Sequence, residues 1–228
     1  MTAQLPSGRS NGRQPDAAEQ QYGRLRREIL NGDIPPGAIL LETALSERYG
    51  VSRTPMREAL SRLAQDGLLV RSTRGFQVRQ YTPEEILEIY EARIALETTS
   101  AALAASRRTE FDLARLGHLV AERQAATDPT QFGPLNNLWH QALRAASHNA
   151  TITELLERLD NQLALHPRRR PLPTTADRSA EEHAEILRAI HDRDADTAQA
   201  LMRDHLRHMR DLRIQALLQE EDDGATAR

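Results

Sequence analysis

Cysteine is absent from the 228 residues, which excludes a disulfide framework, thiolate metal sites and a cysteine nucleophile. Lysine is absent as well, so all 30 basic residues other than histidine are arginines, planar forks rather than point charges. Aromatic residues make up 4% of the chain and include a single tryptophan. No apolar run approaches the roughly 20 residues of a membrane helix, and the N-terminus lacks a signal-peptide core. These absences point to a cytoplasmic protein with no membrane partner. The chain is long enough for one large or two small domains with real cores.

The net charge of −3 says little, but its distribution says more. Residues 1–81 hold 12 arginines against 8 acids (+4), whereas residues 82–228 hold 18 against 25 (−7). A basic N-terminal part on an acidic body suits one part facing phosphate and another facing something else.

The most informative stretch is residues 44–79. Ala44, Leu45 and Tyr49 can form one apolar side of a short helix that Gly50 ends. Ser52 then suits an N-cap, with Pro55 in the first turn of a second helix. Met56, Leu60 and Leu63 recur at helical spacing on the buried side, and Gly67 closes that helix. Leu68–Val70 and Phe76–Val78, separated by Ser72, Thr73, Arg74 and Gly75, read as a β-hairpin. Such a helix-turn-helix presents the start of its second helix to base edges. There Arg53 and Arg57 offer paired donors for guanine, while Ser52 and Thr54 offer hydroxyls for phosphate. Arg71, Arg74 and Gly75 at the hairpin tip suit a wing against the DNA backbone or minor groove. The plain alternative is a surface helix that merely carries arginines. Cap, turn glycine, two arginines one turn apart and a basic hairpin together argue against it. The stretch G-V-S-R-T-P-M-R-E-A-L-S-R-L-A-Q-D-G-L-L resembles, almost position for position, the winged helix-turn-helix of GntR-type bacterial regulators. That resemblance implies double-stranded operator DNA as a partner. It also implies a polar or basic DNA contact near residue 43, where this chain has threonine.

Around this stretch the chain divides into four parts. Residues 1–15 read as a disordered tail and 16–81 as the DNA-binding domain, opened by Asp16 with Glu19 at a capping-box position. Tyr22, Leu25, Ile29 and Leu30 line the first helix, and the Pro-Pro-Gly segment after Ile34 reads as an extended connector. Thr82-Pro83-Glu84-Glu85 is a strong helix start, and residues 82–220 read as an all-helical bundle of about six helices. Breaks are expected near 107–109, 128–133, 149–151, 166–177 and 193–196, with Ser179 and Glu182 as a further capping box. Residues 221–228 read as a fraying tail. The expected class is mainly α, a winged helix-turn-helix followed by a helical bundle.

All eight histidines lie in that bundle. Asn136 and His140 are four apart and share one helical face, beside Trp139. His183 precedes an apolar run, and His205 lines up with Met202 and Met209. Neutral imidazoles suit zinc, nickel and similar divalent metals. Spacing alone does not bring these helices together, and most histidines on helices are simply solvated.

Residues 83–220 also resemble the FCD ligand-binding domain of the FadR-type branch of these regulators. Its pattern has an acid four residues before a histidine preceded by an aromatic, then E-H-x-x-I-L, then M-x-x-H-L. His140, His183 and His205 occupy the three histidine places, and Asn149 a following asparagine signature. The resemblance implies a divalent metal on these histidines, with Asn136 where the family usually has aspartate. An amide oxygen is a weaker donor for such an ion. Arg93 matches an arginine of the same domain, which implies a fork for the carboxylate of a small organic acid effector. Read from spacing alone, Arg93 could instead pair with Glu97 one turn on.

The resulting expectation is a homodimeric, ligand-responsive regulator, a repressor released by a carboxylate metabolite. Two rivals remain at this stage. One is a metal-dependent hydrolase using the three histidines; the other is a regulator whose pocket is vestigial.

Overall fold

The computed structural model describes residues 16–166 and 175–226, which form two compact units divided between Gln80 and Tyr81. The tail expected at residues 1–15 therefore lies outside the described residues.

In the first unit, α1 (Ala17–Leu30) packs on α3 (Arg53–Gln65) through Leu25, Ile29, Met56, Ala59, Leu60 and Leu63. The short α2 (Glu42–Tyr49) ends at Gly50 in the left-handed conformation, φ 66°, and the chain turns into α3. Asp16 and Ser52 stand at N-cap positions, yet neither side chain makes the capping bond, and Glu19 pairs with Arg62 instead. Leu45 is buried, but Ala44 faces solvent, since the second inward position belongs to Ser46.

The sheet has three strands rather than the two of a simple hairpin. Within the expected connector, β1 (Ile39–Leu40) pairs antiparallel with β3 (Gly75–Val78), which also pairs with β2 (Leu69–Ser72). Two residues are too few for alternation to reveal a strand. The β2–β3 turn is tighter than expected, because Ser72 and Gly75 are themselves paired and only Thr73 and Arg74 loop out. Gly75, at φ 135°, lies so close to β1 that an added Cβ would stand 2.7 Å from the Leu40 carbonyl oxygen. Its role here is to admit the neighbouring strand. Gly75→Ala should cost about 1–3 kcal/mol from backbone strain, read as a lower melting temperature of this unit.

The second unit comprises α4 (Pro83–Arg107), α5 (Glu110–Ala125), α6 (Pro129–Ala146), α7 (Ala150–Ala164), α8 (Thr175–His191) and α9 (Ala195–Thr226). Reciprocal capping boxes start α4 at Thr82/Glu85 and α5 at Thr109/Asp112. Ala101, Leu116, Leu143, Ile186, Met202 and Leu206 form the core that all but α7 share. Three boundaries differ from expectation. Asp128 caps α6 through the Thr130 N–H with Pro129 in the first turn, so Gly133 and Pro134 lie inside the helix on its exposed side, where Pro134 has no N–H to give the Thr130 carbonyl. Ser179 lies within α8, which begins a turn earlier, and Glu182 is drawn to Arg178 and His205 rather than to a cap. The helix α9 carries on through 221–226, where fraying was expected, although Asp222, Asp223, Gly224 and Thr226 are poor helix formers. Among the described residues no helix is long and apolar enough to cross a membrane.

Candidate nucleic-acid interface and metal centre

In the first unit the start of α3 places Ser52, Arg53, Thr54 and Arg57 on the exposed side of the helix, with Met56, Ala59 and Leu60 turned inward. Arg53 and Arg57 are one turn apart. They differ in company: Arg53 Nε donates to Glu42 Oε1 of α2 at 3.0 Å, both groups facing solvent to some degree. Arg57 lines a shallow cleft with Ser61, Arg62 and Arg71. Arg71 and Arg74 are exposed on the wing. The Arg71 guanidinium lies 5.2 Å from the Phe76 ring centroid, and the Arg74 N–H donates to Ser72 Oγ. Every guanidinium of this unit picked out from the sequence is thus on the surface, whereas Gly75 acts through the sheet. Glu42 is the residue the sequence left unremarked, because its pairing with Arg53 spans two helices.

Three helices of the second unit bring three histidines together. His140 (α6), His183 (α8) and His205 (α9) are all buried, and one ligating atom from each lies within 4.8 Å of the others. A carboxylate holds the far side of two rings: Glu97 Oε2 is 2.8 Å from His140 Nδ1, and Glu182 Oε2 is 2.7 Å from His205 Nδ1. Such contacts fix ring orientation and leave Nε2 for a ligand. The third ring is held by stacking, with the Trp139 ring parallel to His183 at 3.8 Å. His183 Nε2 is buried without a hydrogen-bond partner. Burial, then the neighbouring histidines, push His183 well below its usual range; burial also lowers His140, against the pull of Glu97. Neutral imidazoles with an orphaned buried nitrogen are a donor set that fits a divalent ion of the zinc or nickel kind.

Asn136 lies one turn before His140, and Ser179 one turn before His183. The two form a neighbouring rung, with Ser179 Oγ donating to Asn136 Oδ1 at 3.3 Å. In this arrangement the amide oxygen is occupied by a hydroxyl. Asn149 caps α7 through the Ile152 N–H.

Arg93 is neither solvated nor open. Its Nη2 donates to Glu97 Oε1 at 2.7 Å, and its Nε is 3.6 Å from Asp160. Arg144 reaches the same Glu97 oxygen at 2.7 Å and pairs with Asp160. Burial works against a charge on Glu97, but His140, Arg93 and Arg144 hold its carboxyl well below the usual range. One carboxylate therefore serves both a histidine of the trio and two arginines.

His140 and His183 bind protons less readily folded than unfolded, so their contribution is complete above the ordinary imidazole value near 6.5 and is lost progressively as pH falls from there toward their depressed folded values. Stability of this unit and its affinity for zinc should both decline from pH 7.5 to 5.5, checked by thermal melts and competition with a chelating dye.

Two family models match: "Bacterial regulatory proteins, gntR family" over residues 17–78 and "FCD domain" over residues 88–208. The HTH-type transcriptional regulator YdhC of Bacillus subtilis is 33% identical over 198 residues, 83% of this chain and 87% of its own. The HTH-type transcriptional repressor RspR of Escherichia coli is 29% identical, over 90% and 92% of the two chains. The solved structure of E. coli McbR/YncC superposes with a TM-score of 0.71 at 26% identity, covering 90% of this chain and 99% of that one. A winged helix-turn-helix joined to a helical ligand-binding domain defines a DNA-binding transcription regulator. The chain belongs to the GntR family, in the branch with an FCD domain. The hydrolase rival finds no support: the relatives are regulators, and both carboxylates that touch the trio are spent on histidine Nδ1 atoms.

Proposed function

We propose that the chain is a cytoplasmic, homodimeric repressor that leaves its operator when a small organic acid binds in the helical unit. Ser52, Arg53, Thr54 and Arg57 contact one half-site, with Arg71 and Arg74 on the adjoining backbone. His140, His183 and His205 hold a divalent ion, with Asn136 or a water completing the set. That ion supplies a positive, Lewis-acidic contact for the carboxylate of the effector. Arg93 supplies a second. Effector and operator are linked because the effector favours one arrangement of the protein over another. RspR is named a repressor, which favours that sign of regulation.

The observation that carries this reading is the trio itself: three buried imidazoles, two oriented by carboxylates, one with an orphaned nitrogen. The test is fluorescence anisotropy on promoter fragments near the chain's own gene, with zinc or nickel bound, across a panel of C2–C6 carboxylic acids. At least one acid should lower operator affinity, and His183→Ala should abolish its effect. Silence across the panel would leave a vestigial pocket as the better description.

A further inference from the structure

Behind the histidine trio sits an arginine pair with a tenant of its own. Arg93 comes from α4 and Arg144 from α6, yet they share both carboxylate partners. Glu97 Oε1 accepts from Nη2 of each arginine at 2.7 Å. The Asp160 carboxylate, from α7, accepts from Arg144 Nη1, lies 3.4 Å from Arg144 Nη2 and reaches within 3.6 Å of Arg93 Nε. The two acids are not equivalent. Glu97 is fully buried and committed by its other oxygen to His140, so it is part of the frame. The Asp160 side chain is 37% exposed, at the solvent edge of the cluster. It stands on the helix least anchored in the core, since Leu156 is the one buried residue of α7. The pair is also under-used. The Nε atoms of Arg93 and Arg144 are both buried without a hydrogen-bond partner, although a guanidinium has five donors arranged for paired carboxylate bonds.

We propose that Arg93 and Arg144 form a two-arginine carboxylate site, filled by Asp160 in the free chain and taken over by the carboxylate of a small acid. The inference rests on the acid-effector reading above; it adds Arg144 as the second arm and Asp160 as the internal competitor. Charge balance supports the exchange. Two guanidiniums, Glu97 and one further carboxylate make a neutral cluster, whichever carboxylate is the fourth member. An amide or alcohol of the same shape would leave a buried positive charge uncompensated, so the site selects anions over their neutral analogues. The leaving Asp160 is at the solvent edge and is readily hydrated. Its departure removes the ion pairs that tie α7 to α4 and α6, which gives ligand binding a mechanical consequence inside this unit.

The test uses the full-length chain stripped of metal by passage over a chelating resin, so that no divalent ion at the histidines can bind the probe, and acetate titrated at constant ionic strength against chloride. Asp160→Asn removes the competing charge and keeps the shape. It should bind acetate about tenfold or more tightly than the wild type, because the site is no longer pre-filled. Acetamide should be inert, and adding Arg144→Gln, or Arg93→Gln should that variant fail to fold, should abolish the gain. The readouts are acetate-dependent thermal stabilisation and fluorescence of the single tryptophan. Equal acetate binding by wild type and Asp160→Asn would overturn the proposal, as would acetate binding that survives loss of either arginine. The acid-effector reading fails separately, if no acid changes operator binding by the wild type. The arginine site fails if Asp160→Asn ignores acetate.

Discussion

Glu97→Gln is expected to destabilise the helical unit by about 3–5 kcal/mol, the usual cost of removing one member of a buried ion cluster. The wild-type carboxylate is fully buried and faces Arg93, Arg144 and His140 at 2.7, 2.7 and 2.8 Å. Glutamine keeps the volume but not the charge. Two buried guanidiniums would then share only Asp160, which is partly solvated and cannot replace both contacts. The same change leaves His140 Nδ1 facing an amide, so the ring loses its charged partner and zinc affinity should fall about 10–100-fold. Chemical denaturation followed at Trp139 isolates the effect. That residue is the single tryptophan of the chain and is buried in this unit, so its signal ignores unfolding of the winged unit. Pairing Glu97→Gln with Arg144→Leu in a double-mutant cycle should recover part of the loss, since the second change removes an orphaned charge. A destabilisation below about 1 kcal/mol would mean that water reaches this cluster and screens it.

The helical architecture was legible in the sequence because its signals are local. The Thr82 cap, the Gly50 exit and the Met56–Leu60–Leu63 stripe each act within one or two turns, and each stands in the structure as a local rule would have it. The misreadings share one cause. Ser179 looks like a cap when only its own neighbours are considered, but its hydroxyl is drawn to Asn136, 43 residues away. Glu19 looks like half of a capping box until Arg62 is brought beside it by the packing of α1 on α3. The strand β1 has no local signal at all; it exists because β3 arrives to pair with it.

The candidate metal centre follows the same division. His140, His183 and His205 could be picked out through a resembled pattern, whereas spacing left them as three separate helix residues. The groups that make the site chemically specific were invisible. Glu97 was seen only as a partner for Arg93 at i+4, although its larger role is to join that arginine to Arg144 and His140. Glu182 was assigned to a cap, yet it orients His205. Asp160 and Arg144 carried no signal in sequence, since neither residue type nor spacing marks an acid and an arginine on adjacent helices as partners.

Arg57→Ala should weaken operator binding by roughly 1–3 kcal/mol, about 5- to 150-fold, and relax preference at one base position. Arg57 stands on the exposed face of α3 one turn from its start, where a major-groove contact is made, and the inward face of that turn is filled by Met56 and Leu60. Its truncation leaves the core of the unit intact, so the thermal melt should not move. Arg53→Ala should lose less, because Arg53 must first leave Glu42, an exposed pair worth tenths of a kcal/mol. Glu42→Gln should accordingly raise affinity for the operator, and by more than for random DNA, since it frees an arginine placed to read a base. The comparison separates reading from attraction: a base-reading arginine changes the ratio of specific to non-specific affinity, whereas a phosphate contact lowers both and reduces the salt slope by about one. Equal losses on operator and random DNA for Arg57→Ala would move this residue from the bases to the backbone.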